Sequence, residues 1–117
     1  MSSTAFKEPN IIDPLAATQR VRERVTSDVI AAFERDGAVC LRQLLTPDEV
    51  ALIRDGIDAN ITSPSPRAKV ASQPGDPGFF IEDFCNWQHN GHYRRAIFES
   101  AIAAAAGHLM RTRQELQ

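Results

Sequence analysis

The sequence predicts a helix-rich α+β fold with a few short strands, and three observations carry that prediction. A helix start, Thr46-Pro47-Asp48-Glu49, leads into apolar residues three or four apart at Val50, Ile53 and Ile57. A second stripe, Ile102, Ala105, Ala106, Leu109 and Met110, repeats at i, i+3, i+4, i+7 and i+8. Residues 38–42 and 78–84 are short and rich in side chains that suit a pleated, half-buried backbone.

The elements follow in order. Residues 1–14 are polar and punctuated by proline, which predicts an extended, poorly ordered lead-in. Asp13-Pro14 opens a short helix. Residues 15–25 carry Arg20, Arg22, Glu23 and Arg24 with few large apolar side chains, so that helix is expected to be mostly solvated, its charges an exposed face rather than a binding patch. Thr26-Ser27-Asp28 precedes Val29, Ile30 and Phe33, which share one helical face, and Gly37 suits the helix end. The next segment, 38–42, is expected to be a strand. Thr46 can cap the following helix, Pro47 fits its first position, and Glu49 completes a capping box. That helix is predicted to run to about residue 60, with Ile61 extending the stripe and Gly56 weakening it by up to ~1 kcal/mol.

Residues 62–78 hold Pro64, Pro66, Pro74 and Pro77 with Gly75 and several serines, a composition that predicts a long loop of the kind used as a lid or binding loop or left disordered. Residues 78–84 read as a strand with Phe80 and Glu82 on one side and Phe79, Ile81 and Asp83 on the other. Residues 93–98 can form a short helix, and Ser100 can cap the last one.

Length and composition bound the function. With 117 residues the chain has room for one domain burying roughly two thirds of its unfolded surface. A net charge of -2 gives no electrostatic reason to expect nucleic acid. No run approaches the ~20 apolar residues of a membrane helix, and the first ten residues lack a signal-peptide layout, so a cytoplasmic location is expected. Cys40 and Cys85 sit among Val, Leu, Phe and Trp, which predicts buried structural thiols rather than a disulfide or a nucleophile.

Two groups of residues could carry chemistry. Cys85, His89 and His92 are spaced i, i+4, i+7, which on a continuous helix would bring three zinc ligands to one face. Asn90-Gly91 interrupts that helix and a fourth ligand is missing, so loop histidines are the simpler reading. The aromatic run 79–87 could line a substrate pocket, with Phe80, Asp83 and Trp87 as its candidates, although packing in a core is the commoner role of buried aromatics. Glu82 and Asp83 are adjacent, so in a strand they face opposite ways and form no paired-carboxylate site.

Four segments together resemble the amino-terminal part of phytanoyl-CoA dioxygenase-like proteins: Phe33-Glu34-Arg35-Asp36-Gly37-Ala38-Val39, Leu45-Thr46-Pro47-Asp48-Glu49-Val50, the run from Gly78 to Gln88, and Tyr93-Arg94-Arg95-Ala96-Ile97-Phe98-Glu99-Ser100. The similarity spans roughly Thr26 to Arg113, which sets 1–25 apart as lead-in and short polar helix and 26–117 as the family-like part. It implies an oxygenase that hydroxylates a small molecule with iron(II), 2-oxoglutarate and oxygen on a double-stranded β-helix, the iron held by a His-x-Asp pair and a distant second His. His89, His92 and His108 are followed two positions on by Gly91, Arg94 and Met110, so that motif falls on no residue here. The resemblance therefore implies a truncated or frameshifted member that lacks most of the β-core. No catalytic, cofactor or metal ligand is assigned, and the chain alone is expected to be inactive. The Val50/Ile53/Ile57 and Ile102/Leu109/Met110 stripes are expected to lack their sheet and to promote self-association. The alternative, drawn from the stripes alone, is a small helical interaction or dimerisation module.

Overall fold

The computed structural model describes residues 12–111. The expected lead-in, apart from its last residues, and the segment beyond residue 111 lie outside the described residues. The described residues form five helices and a two-stranded sheet in the order α1 (Pro14–Arg24), α2 (Ser27–Asp36), α3 (Pro47–Thr62), β1 (Lys69–Val70), β2 (Ile81–Glu82), α4 (Gly91–Glu99) and α5 (Ala101–Met110).

The helix starts stand where the capping residues place them. Asp13 Oδ1 accepts from the amides of Leu15 at 3.0 Å and Ala16 at 3.3 Å, and Pro14 takes the first turn, where no amide is needed. Thr26 caps α2, which ends at Gly37 in the left-handed region (φ 77°) with its N–H on Phe33 O at 2.8 Å. Both halves of the α3 capping box are present: Glu49 N donates to Thr46 Oγ1 at 3.1 Å and Thr46 N to Glu49 Oε1 at 2.9 Å. Ser100 caps α5.

α1 packs on α5, α3 packs on α4, and α2 and α4 each also meet α5. Ala17, Val21, Val25, Ala101 and Ala105 make the core, with Val29, Ile30, Leu41, Leu44, Leu45 and Leu109 partly buried around it. The small side chains of α1 and α5 suit a close approach of the two helices. α1 is mostly exposed, as its charges predict, yet its two buried residues, Ala17 and Val21, sit at the centre of this cluster. Leu52 is 1% exposed, a burial worth about 1.5–3 kcal/mol. Gly56 has a packing reason as well as a helix cost, because a Cβ there would lie 2.8 Å from Tyr93 Cε1 and 3.0 Å from His92 Cβ.

Several expectations need correction. The buried residues of α3 are Glu49, Leu52 and Gly56, while Val50, Ile57 and Ile61 are exposed, so the helix is turned about 100° from the orientation its apolar stripe suggests. On α5 the expected stripe holds in part: Ala105 is buried and Leu109 packs on the core, with Ala101 and Gly107 also buried, whereas Ile102 and Met110 are exposed. Residues 38–42 form no strand: among the described residues no strand lies alongside, and Arg42 O and Leu44 O accept instead from the α1 side chains of Arg24 and Arg20. The 78–84 strand shrinks to Ile81–Glu82. Its antiparallel partner, Lys69–Val70, lies inside the expected long loop and is itself two residues long, with Lys69 opposite Glu82 and Val70 opposite Ile81. The strand ends where its partner ends, because unpaired extended backbone has no ladder to hold it. The aromatic run is not core, since Phe79, Phe80 and Phe84 are 60%, 58% and 69% exposed. Cys40 and Cys85 are free and exposed, not buried.

Candidate functional site

Residues 63–87 form an arm tied at its base. Asp83 accepts at Oδ2 from Ser65 N at 2.9 Å and at Oδ1 from the Ser65 hydroxyl. Arg67 donates from Nε to Phe84 O at 3.3 Å and from a terminal nitrogen to Cys85 O at 2.6 Å, the latter residue in the left-handed region (φ 52°). The Ser65 hydroxyl, then the Ser65 amide, hold the Asp83 carboxyl below the usual carboxylate range, and the Arg67 charge adds to this. Asn86 Nδ2 reaches Asn60 Oδ1 at 3.3 Å and fastens the base of the arm to α3. Towards the tip, Ala71 N donates to Phe80 O at 2.9 Å and Phe80 N to the Ser72 hydroxyl at 3.1 Å.

The three pocket candidates are thereby placed apart in role. Phe80 projects from the arm, Asp83 closes its base, and Trp87 packs against α4. The Trp87 and Phe98 rings meet edge to face, centroids 5.7 Å apart at 66°. The Arg94 guanidinium lies 5.4 Å from the Trp87 centroid and 5.1 Å from that of Phe98. This cluster consumes the indole face in packing, and the sequence offered no sign that Arg94 would complete it.

A cavity of about 230 Å³ lies between the end of α3 and the start of α4, lined by Ala59, Asn60, Ser63, His89, Asn90, Gly91 and His92. His89 and His92 share it, but Cys85 is not in its wall. Asn90 is its buried anchor, at 7% exposure. Its Oδ1 accepts from His92 N at 3.1 Å and Tyr93 N at 3.2 Å, capping α4, while Nδ2 donates to Gly56 O at 2.9 Å across to α3. Beside it, the Tyr93 hydroxyl is pushed up from its ordinary value, first by burial and then by the Asp83 charge. An Asn just ahead of a helix is a legible cap signal, whereas the bond back to Gly56 is visible only in three dimensions.

A second cavity of about 140 Å³ is lined by Ile12, Asp13, Ala16, Arg20, Thr46, Asp48 and Glu49. Glu49, 2% exposed, does more than cap α3. Its Oε1 also accepts from the Arg20 guanidinium of α1, and its Oε2 accepts from the first amide of α5, Ala101 N, at 2.9 Å. One carboxylate thus joins three helices and also satisfies an otherwise orphaned helix-start amide. Both carboxylate oxygens of Glu49 are occupied within the fold, which marks the junction as a joint and not an open ligand site.

No family model, no curated protein and no solved structure matches this chain. The iron of the resembled family calls for two imidazoles and a carboxylate with open positions. Among the described residues no three His, Cys, Asp or Glu side chains are gathered to hold a metal, and no carboxylate stands in the wall of the cavity shared by His89 and His92. The described side chains do not fit that ion. Among the described residues, no helix is long and apolar enough to cross a membrane.

Proposed function

We propose that this chain is the helical amino-terminal part of a phytanoyl-CoA dioxygenase-like oxygenase, serving there to buttress one face of the β-core. The parent hydroxylates a small molecule, and its iron and 2-oxoglutarate are held by strands outside these 117 residues. One observation carries the reading: large members of the apolar stripes of α3 and α5 are open to solvent, with Val50, Ile57, Ile61, Ile102 and Met110 38% to 55% exposed, although Ala105 and Leu109 pack inward. Large apolar side chains left open to water on two helices are what a missing covering sheet leaves behind. In this reading the chain is cytoplasmic, takes no part in nucleic-acid binding, and by itself neither binds iron(II) stoichiometrically nor turns over 2-oxoglutarate.

Two experiments test it. Reading the DNA past codon 117 in all three frames is expected to reveal a His-x-Asp pair and a later His; their absence from every frame overturns the assignment. Iron(II) titration and a 2-oxoglutarate turnover assay on the purified chain are expected to be flat, and activity in either refutes the claim that the ligands lie elsewhere.

A second reading, a self-associating interaction module, is favoured by Phe79, Phe80 and Phe84 on the arm, because exposed aromatics are typical interface anchors. Light scattering coupled to size exclusion separates the two. A defined dimer with one cooperative melting transition supports the module, and an ill-defined, poorly cooperative species supports the fragment.

A further inference from the structure

The Asn90-Gly91 pair is both the α4 cap and the clasp between α3 and α4, and its covalent chemistry is unused by either role. We propose that Asn90 is a deamidation site gated by the α3–α4 contact, inert while the helices are packed and reactive when they part.

The chemistry needs no partner but water. The Gly91 backbone nitrogen attacks the Asn90 side-chain carbonyl carbon, a C–N bond forms, and the side-chain nitrogen leaves as ammonia. The resulting cyclic imide is opened by one water at either carbonyl, giving aspartate or isoaspartate. No oxidant or reductant enters, because the net change is amide plus water to acid plus ammonia. Glycine favours the first step, since it has no Cβ to shield its nitrogen or to restrict the approach. The other asparagines precede larger residues: Asn10 precedes Ile11, Asn60 precedes Ile61 and Asn86 precedes Trp87.

The fold restrains the reacting carbon. Asn90 is 7% exposed, and three hydrogen bonds, one from Nδ2 to Gly56 O and two to Oδ1 from the His92 and Tyr93 amides, hold the carboxamide in its cap orientation. Swinging it onto the Gly91 nitrogen breaks all three. Parting of α3 and α4 removes the first directly and frays the α4 start that supplies the others, so the reaction follows the open population. It is also one-way. A carboxylate at position 90 has no N–H to donate and sets an oxygen against Gly56 O, while isoaspartate adds a methylene to the backbone at the cap. Either product opposes reclosure.

The test measures conversion at residue 90 by peptide mass mapping and an isoaspartate-specific methyl-transfer assay, across a denaturant series spanning the melting transition. The rate in the unsubstituted chain is expected to rise in step with the unfolded fraction, and a rate flat across the transition overturns the proposal. Gly56→Ala drives a methyl into Tyr93. The overpacking raises the open population, and conversion without denaturant is expected to be about tenfold faster, equivalent to about 1.4 kcal/mol. Gly91→Ala meets nothing within 4 Å, so it is expected to leave melting unchanged while suppressing conversion in denaturant. Undiminished conversion in that variant, or earlier conversion at Asn60 or Asn86, overturns the proposal. The denaturant series decides the matter even where Gly56→Ala prevents folding.

Discussion

The α1–α5 junction and the 63–87 arm invert the usual relation between hydropathy and burial. At the junction, a charged helix and an alanine-rich one enclose a core of Ala17, Val21, Val25, Ala101 and Ala105, and the carboxylate of Glu49 is buried beside it. On the arm, the most aromatic run of the chain stands in solvent, with Phe79, Phe80 and Phe84 more than half exposed. The difference is one of partners. Small side chains and a fully bonded carboxylate have neighbours on several helices, whereas the arm is held by backbone and polar bonds at its base and, among the described residues, has no layer over its apolar face.

The contrast can be tested from its strongest point downward. Glu49→Ala leaves Arg20 without its buried partner and the Thr46 and Ala101 amides without an acceptor, and a loss of about 3–5 kcal/mol is expected from chemical denaturation. A loss under 1 kcal/mol would show that the junction is not the joint described here. Leu52→Ala, at a site 1% exposed, is expected to cost about 2–4 kcal/mol in the same measurement.

On the arm the effects are smaller and depend on pH. Asp83 is held below its ordinary value chiefly by the Ser65 hydroxyl, so its contribution is present above the unfolded carboxylate pKa of about 4 and is lost as pH falls through the lower folded value. Asp83→Asn is expected to remove this acid-side dependence, read as hydrogen-exchange protection of the Ser65 amide between neutral and strongly acidic pH. Equal acid sensitivity in both proteins counts against the tether. Phe80→Ser and Phe84→Ser are expected to move stability by no more than about 0.5 kcal/mol while reducing any self-association seen by light scattering. A large loss of stability from either change would mean that the aromatic run has a buried partner after all.

Local signals were legible where a residue acts on its own chain. The caps at Asp13, Thr26, Thr46 and Ser100 and the left-handed Gly37 could be read because each bonds to backbone two to four residues away. The facing of α3 could not. Val50, Ile57 and Ile61 outrank Glu49 and Gly56 in hydropathy, but Gly56 is required by Tyr93 and Glu49 by Arg20 and Ala101, residues 29 to 52 positions away. The clasp at Asn90 shows both sides at once, since Asn-Gly marks the break before α4 while the bond to Gly56 spans 34 positions.

Residue order alone therefore determined where α1, α2, α3 and α5 begin, that proline and glycine break the chain between residues 62 and 78, and that these 117 residues hold no His-x-Asp pair, while α4 starts two residues before the expected 93. Which faces are covered, that the aromatic run is left outside, and that one glutamate unites three helices were settled in three dimensions. The physical reason is range. A cap or a turn is a contact within one turn of chain, but burial depends on which distant surface is close enough to exclude water, and here small residues and paired charges permit the close approach that the large apolar side chains do not find.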